Sequence, residues 1–103
     1  GKVVGLGEAE LERQARAYLA LRGWHLFEKS RYPWGQGQPD IIAVRNGRCL
    51  LIELKAARPG TKLRASQERQ KLSLEAAGCT LHILRSLEEV MELVSDAADG
   101  IGR

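Results

Sequence analysis

Two carboxylates and one ammonium group in the middle of the chain have the types and spacing of a hydrolytic metal site. Asp40 follows Pro39, and Glu53 stands two residues before Lys55. Hard oxygen donors with no cysteine or histidine among them favour Mg²⁺ or Mn²⁺. An ammonium group beside metal-bound carboxylates can orient or deprotonate a water molecule that attacks a phosphate, or stabilise the charge that develops there. The pattern therefore predicts metal-assisted hydrolysis, provided that the fold brings these side chains together.

A predicted β-hairpin brings them together. The segments 40–45 and 48–55 are strand-like, and Asn46-Gly47 between them is a strong signal for a two-residue turn. With that turn, residues whose numbers sum to 93 face each other, so Asp40 pairs with Glu53. Alternate side chains of a strand share a face, so Glu53 and Lys55 point the same way. Because directly opposed like charges destabilise a sheet, the carboxylate pair requires a compensating cation.

Each of these residues has an ordinary structural explanation when it is taken alone. An aspartate at the start of a strand is usually a cap or turn residue, and Glu-x-Lys at a strand end is usually a solvated edge. Here Gly37-Gln38-Pro39 leads into the first strand, and a basic segment leads out of the second. The combination through one tight hairpin favours the active-site interpretation.

The other segments alternate between helical and strand-like periodicity. In chain order they are a helix over Glu8–Arg22 that ends at Gly23, a strand over Trp24–Lys29, the hairpin, a helix over about Ala65–Ala77, a strand over Thr80–Leu84, and a last helix. Ser86 and Glu89 form a capping box for that last helix, whose apolar stripe is Leu87, Val90, Met91, Val94 and Ala98. The order α-β-β-β-α-β-α predicts a single α/β domain over residues 1–103, with a mixed central sheet flanked by helices.

The composition is that of a globular domain. Of the 103 residues, 44% are hydrophobic and 28% are charged, and no apolar run approaches the ~18 residues of a membrane span. The N-terminal Gly-Lys-Val-Val lacks the apolar stretch of a signal peptide. We therefore expect a cytoplasmic protein. We also expect it to be encoded by a bacterium or a phage.

Charge is segregated along the chain, although the net charge is only +3. Six basic residues and one acid lie between Lys55 and Lys71, whereas the segment 87–99 carries five acids and no base. A basic segment beside paired carboxylates suits a polyanionic substrate that also needs a metal. An ordinary solvated helix face is the alternative for this segment alone. The residues predicted to contact DNA are Arg58, Lys62, Arg64, Arg69 and Lys71.

The cysteines and histidines predict no further site. Cys49 and Cys79 are 30 residues apart in apolar stretches and form no C-x-x-C motif. They predict two buried free thiols rather than a disulfide or a zinc site. His25 and His82 do not form a spaced ligand pair.

The ordered motifs resemble the VRR-NUC family of the PD-(D/E)xK nuclease superfamily. These motifs are Gly37-x-Pro39-Asp40, then Glu53-x-Lys55 after twelve intervening residues, then Gln67 and Gly78 eleven residues apart. The resemblance extends from Glu8 to about Val94. It implies a restriction-endonuclease-like core, Mg²⁺-dependent phosphodiester hydrolysis, and a role in replication, repair or recombination.

By the same resemblance, Asp40 and Glu53 are metal ligands, the Leu54 carbonyl is an additional oxygen ligand, and Lys55 is the catalytic lysine. Gln67 is similar to the glutamine that supports the site from the second helix. The alternative for Gln67 is a helix-start residue whose amide binds local backbone.

One position departs from the family pattern. The supporting glutamine is typically preceded three positions earlier by Ser or Thr, and here that residue is Arg64. Ser66 is therefore an alternative cap for the second helix.

The resemblance also implies a metal-proximal glutamate on the first helix, where Glu8, Glu10 and Glu12 are available. At ~100° per residue, Glu8 lies within the arc of the apolar residues, Glu12 lies at its edge, and Glu10 faces away. We select Glu8 as the further catalytic and metal-binding residue. The alternative is a solvated first-turn glutamate that the helix dipole favours.

The predicted function is a homodimeric endonuclease acting on branched DNA such as four-way junctions. A flap nuclease domain of a larger protein, a subunit that cuts only with a helicase partner, and a nucleic-acid-binding module that does not cut are the alternatives. Tyr32 and Trp34, just before the first hairpin strand, suit either base stacking or the core.

Overall fold

Four strands form one mixed sheet in the order β1-β2-β3-β4. The computed structural model describes residues 7–29, 38–55 and 63–95. These residues form α1 (Glu8–Leu21), β1 (His25–Leu26), β2 (Ile41–Arg45), β3 (Arg48–Leu54), α2 (Ala65–Ala76), β4 (Leu81–Leu84) and α3 (Leu87–Leu93). The β1–β2 and β2–β3 pairs are antiparallel, and the connection through α2 makes β3 and β4 parallel. The predicted element order and α/β class are confirmed.

The β2–β3 hairpin has the predicted turn and register. Asn46 and Gly47 have φ angles of 52° and 77°, which are the positive values that a tight two-residue turn requires. The ladder pairs Ile41 with Ile52, so the residue numbers of each pair sum to 93 as predicted. Asp40 and Glu53 are the next positions beyond that pair.

Helix α1 ends where the sequence predicts. Gly23 has a φ of 90° and donates its N–H to the Ala20 carbonyl at 3.0 Å, closing the last turn. Leu11, Ala15 and Leu19, at spacings of four, are fully buried. This stripe attaches α1 to the sheet.

Strand alternation separates the core from the predicted site. Leu50, Ile52 and Leu54 of β3 are buried with α1 and α3 in one hydrophobic cluster. Glu53 and Lys55 alternate with them and point to the other face, where a residue of α2 contacts Glu53. The sheet therefore has α1 and α3 on one face and α2 on the other.

Strand β1 has only two residues, whereas the sequence predicted a strand over Trp24–Lys29. Past its end, an arginine of α1 provides the hydrogen bonds that a neighbouring strand would otherwise provide. Beyond β1, the Phe27 N–H still donates to the Ile42 carbonyl at 3.0 Å. The Arg16 guanidinium then donates to the Phe27 carbonyl at 3.2 Å and to the Asp40 carbonyl at 2.7 Å. Arg16 satisfies these two backbone carbonyls, and, among the described residues, the segment after Phe27 does not pair through its backbone with the segment that precedes β2.

Helix α3 is capped as predicted at Ser86, whose Oγ accepts the Glu89 N–H at 3.1 Å. The Glu89 carboxylate accepts the N–H of Arg85 rather than that of Ser86, so the reciprocal half of the capping box is shifted by one residue. Met91 is 41% exposed and does not belong to the buried stripe, because α3 has only seven residues and Val90 and Val94 make its core contacts. Ala98 lies outside the described residues.

The prediction of buried thiols was wrong. Cys49 and Cys79 are free but exposed. Cys49 pairs with Val44 near the start of β3, and Cys79 follows the C-terminal turn of α2, with its N–H on the Leu74 carbonyl. Both line an open cavity of about 260 Å³ that is not filled by side chains.

Within the described ranges, no helix is long and apolar enough to cross a bilayer.

Candidate active site

The buried polar residues of the described chain coincide with predicted site residues. They are Glu53, Lys55 and Gln67, with exposures of 4%, 5% and 4%. Burial of polar and charged groups costs free energy unless partners compensate it. Glu53 and Lys55 lie at one end of the β2–β3 hairpin, and Gln67 reaches Glu53 from α2, so the three buried groups together indicate a functional site.

Asp40 lies just before β2 with its two carboxylate oxygens in different environments. Oδ2 accepts the backbone N–H of Leu54 at 2.8 Å, a bond that ties the carboxylate to the opposite strand. Oδ1 lies 3.1 Å from the Lys29 ammonium nitrogen. The side chain is 19% exposed, so one side of the carboxylate is accessible from solvent.

The surroundings of Glu53 disfavour the ionised form of its carboxyl group. Burial and the negative charge of Asp40 raise the pKa of Glu53 from 4.5 to about 7, and the positive charge of Lys55 opposes this increase. The Gln67 amide nitrogen donates a hydrogen bond to Glu53 Oε2. Glu53 is thus held in place beside a second carboxylate that repels its ionised form.

Gln67 combines the two roles that the sequence left as alternatives. Its side-chain oxygen accepts the backbone N–H of Arg64 at 2.8 Å, which caps α2, while its amide nitrogen reaches Glu53. Arg64 therefore occupies the cap position without a Ser or Thr side chain, and the alternative cap at Ser66 was wrong. One amide both starts the helix and orients the carboxylate.

Helix α1 approaches Asp40 through Glu12, by way of the Lys29 ammonium. Glu8 is the exposed first residue of α1. Glu12 Oε1 lies 3.0 Å from the Lys29 ammonium, which also contacts Asp40. Among residues 7–29, 38–55 and 63–95, no three His, Cys, Asp or Glu side chains gather closely enough to hold a metal ion. The structure does not group Glu8 with Asp40 and Glu53, and its metal-binding role stays a prediction.

Three further residues lie near Asp40: Arg16 and Lys29, which sequence reasoning missed, and Glu12, which it considered for α1 but did not select. They come from α1 and from the segment after β1. The β1–β2 ladder pairs only His25 with Val44 and Leu26 with Ala43, but the same register continued along the chain brings Lys29 opposite Asp40, where the two side chains form an ion pair. That register was not predicted, because no short turn connects β1 to β2. Lys29 could have been identified from the sequence only if the register between β1 and β2 had been known.

Comparison with known proteins identifies the fold. No protein-family model matches the sequence, and no curated protein matches it. A solved structure described as "VRR_NUC domain" aligns with a TM-score of 0.70 over 84% of this chain and 92% of that chain, at 20% sequence identity. The chain has the VRR_NUC fold. This match confirms the fold that the ordered motifs predicted.

The donor atoms at the hairpin end of this VRR_NUC fold fit a hard divalent cation. Asp40 and Glu53 present carboxylate oxygens, and their repulsion is evident in the raised pKa of Glu53. Mg²⁺ is commonly bound by one or two carboxylates and completes its shell with water and substrate phosphate. Two carboxylates are therefore a sufficient side-chain set, and the Leu54 carbonyl at the end of β3 remains the predicted additional ligand.

The basic residues of this VRR_NUC fold differ in their availability for DNA. Arg64, at the N-cap of α2, and Arg69, within α2, are exposed. The Lys71 ammonium lies 2.7 Å from the Glu75 carboxylate, which raises the pKa of Lys71. The ion pair partly neutralises the positive charge of Lys71, so this residue is less available for DNA than Arg64 or Arg69. The predicted contacts Arg58 and Lys62 lie outside the described residues, as do Tyr32 and Trp34.

Proposed function

We propose that this chain is a metal-dependent DNA endonuclease that hydrolyses phosphodiester bonds in branched DNA during replication, repair or recombination. The observation that carries the proposal is the pair of facing carboxylates at the hairpin end, Asp40 and the buried Glu53, with Lys55 on the same face. The similarity to a solved VRR_NUC domain supports the same class of activity.

Mg²⁺ or Mn²⁺ is the proposed cofactor, held by Asp40, Glu53 and the Leu54 carbonyl, with Glu8 as the predicted contribution from α1. When bound, such an ion polarises the phosphate and activates water for attack. Burial and the negative charge of Asp40 raise the pKa of Glu53, and a divalent cation held by the two carboxylates would oppose this increase.

The chain's own residues position the reacting groups. Leu54 N–H fixes one oxygen of Asp40, and Gln67 fixes one oxygen of Glu53, so that the remaining oxygens are oriented before substrate binds. The Lys55 ammonium, beside Glu53, orients the attacking water or stabilises negative charge on the phosphate oxygens. This division of roles assigns catalysis to Lys55, with Gln67 acting on the site through Glu53.

The proposed path of the DNA backbone follows the basic segment that begins at Lys55. Arg64 at the N-cap of α2 and Arg69 within α2 are exposed cations of this segment, and Arg58 and Lys62 belong to the same segment of sequence. The Gln67 hydrogen bonds fix the start of α2 against the carboxylate pair. A phosphate bound near Arg64 would therefore lie close to the site of hydrolysis.

A homodimer is the proposed working form. One site cuts one strand, and resolution of a two-fold symmetric junction requires matched cuts in two strands, which a C₂ dimer supplies. Large apolar side chains are exposed in the described chain, among them Leu21 at 82% and Leu72 at 64%. Burial of such residues between subunits would stabilise a domain with a small core.

Cleavage assays with Mg²⁺ or Mn²⁺ test the proposal on four-way junction, flap, nicked and single-stranded DNA. Asp40→Asn, Glu53→Gln and Lys55→Ala should each abolish cleavage while the circular dichroism spectrum stays that of the wild type. Glu10→Gln, on the exposed side of α1, is the matched control and should cut normally. Near wild-type cleavage by Glu53→Gln would refute the site assignment.

The same panel separates the alternatives. Light scattering should show a dimer, and the dimer should cut four-way junctions. A monomer that cuts flaps and leaves junctions whole would favour the flap-nuclease alternative. Binding of DNA without cleavage under all metal conditions would favour a non-cutting module, unless addition of a helicase partner restored activity.

A further inference from the structure

The carboxylate pair already has a cation of the protein against it. The Lys29 ammonium lies 3.1 Å from Asp40 Oδ1 and 3.0 Å from Glu12 Oε1, and the Lys29 side chain is 48% exposed. Asp40 Oδ2 is engaged by the Leu54 N–H. The ammonium therefore contacts Oδ1, the carboxylate oxygen that accepts no hydrogen bond from Leu54 N–H and so has the larger lone-pair capacity for a metal ion.

Helix α1 holds this ammonium in place. Glu12 binds Lys29 through one oxygen and the Arg16 Nε through the other, at 2.9 Å. Arg16 also donates to the Asp40 carbonyl at 2.7 Å, which anchors the whole group at the end of β1. Two carboxylates, Glu12 and Asp40, therefore face the Lys29 ammonium at ion-pair distance and hold it beside the site.

We infer that Lys29 is an internal counter-ion that occupies Asp40 Oδ1 in the metal-free protein and competes with the divalent cation for this oxygen. The inference rests on the proposed metal-dependent function. It adds a role for a residue outside the carboxylate and lysine motif.

The competition follows from charge. Without a metal, Asp40 and Glu53 repel each other, and a positive charge at Oδ1 offsets part of that repulsion. A divalent ion at the same oxygen would repel the ammonium, so Lys29 must withdraw from Asp40 when the ion binds. Glu12 remains as its partner and keeps the displaced ammonium at the edge of the site. Lys29 thus stabilises the metal-free state and weakens metal binding, two effects of opposite sign that arise from one charge.

Electron paramagnetic resonance titration of metal-free protein with Mn²⁺ measures this competition without any DNA. Lys29→Met should bind Mn²⁺ about tenfold more tightly than the wild type, because the ion no longer displaces a cation. Lys29→Gln should show the same increase, which keeps the test available if the methionine variant folds poorly. Lys29→Arg retains the charge and should bind Mn²⁺ like the wild type. Arg13→Met, which removes a cation paired with Glu10 on α1, is the matched control and should also bind like the wild type.

Thermal unfolding gives a second readout. In EDTA, Lys29→Met should melt at a lower temperature than the wild type, and saturating Mn²⁺ should raise its melting temperature by more than it raises that of the wild type. Equal or weaker Mn²⁺ binding by both Lys29→Met and Lys29→Gln would overturn the inference while the proposed metal site stands. Equal Mn²⁺ binding by the wild type and Asp40→Asn would instead overturn the proposed metal site itself.

Discussion

Replacement of Glu53 by glutamine should stabilise the metal-free protein by an amount that grows with pH. Glutamine has the size of a protonated glutamate and can still accept the hydrogen bond from Gln67. It carries no charge, so it removes the repulsion from Asp40 and the cost of burying an ionised carboxyl group.

The size of the effect follows from the pKa of Glu53. Between pH 4.5 and about 7, folded Glu53 holds a proton that the unfolded chain releases, so rising pH favours the unfolded state. At about 1.4 kcal/mol for each pH unit in this window, the loss of wild-type stability from this group is roughly 3 kcal/mol. This loss is complete above about pH 7 and absent below about pH 4.5. It is a large fraction of the total stability of a small domain.

Urea unfolding in EDTA, followed by circular dichroism, measures the difference between the variant and the wild type. Free energies of unfolding at about pH 5 and about pH 8 bracket the window, and the subtraction removes the other titrating groups that both proteins share. The advantage of Glu53→Gln should be small at the lower pH and approach roughly 3 kcal/mol at the higher one.

Glu10→Gln provides a control of opposite sign. Hydrogen bonds from Arg13 and Gln14 lower the pKa of Glu10, so this carboxylate stabilises the folded state above its unfolded pKa and loses that contribution as pH falls. Its replacement should therefore give no gain at high pH. A Glu53→Gln advantage that is the same at both pH values would show that Glu53 is not held against its ionised form and would refute the reasoning.

Three further predictions concern the turn, the α1 contacts and the DNA path. Gly47→Ala should lower the free energy of unfolding by roughly 1 kcal/mol, measured by urea unfolding, because an alanine strains at a φ of 77°; an unchanged midpoint would contradict the turn geometry. Arg16→Met should cost roughly 1 to 3 kcal/mol, because two backbone carbonyls lose their donor, whereas Arg13→Met on the exposed side should leave stability nearly unchanged. Neutralising Arg64 and Arg69 to glutamine should weaken DNA binding for all sequences and reduce the slope of log affinity against log salt by roughly one to two, and an unchanged slope would place the DNA elsewhere.

The hairpin and its carboxylate pair could be predicted from sequence because their determinants are local. Asn46-Gly47 fixes the turn, the turn fixes the register, and the register brings Asp40 opposite Glu53. The end of α1 at Gly23 and the cap at Ser86 are local in the same way. Short-range sterics and hydrogen bonds decide all of these features within a few residues of chain.

The surroundings of the site depended on contacts between distant segments. Arg16 ends the β1–β2 ladder through bonds to residues 11 and 24 positions away, so the periodicity of Trp24–Lys29 could not reveal how short β1 is. The double role of Gln67 likewise requires α2 to pack beside Glu53.

The sequence by itself determined the element order, the hairpin register and the carboxylate pair at the end of the hairpin, because turn chemistry and strand periodicity act over short distances. Only the tertiary structure decided that Lys29 lies against Asp40 and that burial raises the pKa of Glu53 to about 7. Electrostatic energies depend on distance in space and on the exclusion of water, and neither is fixed until the helices have packed on the sheet.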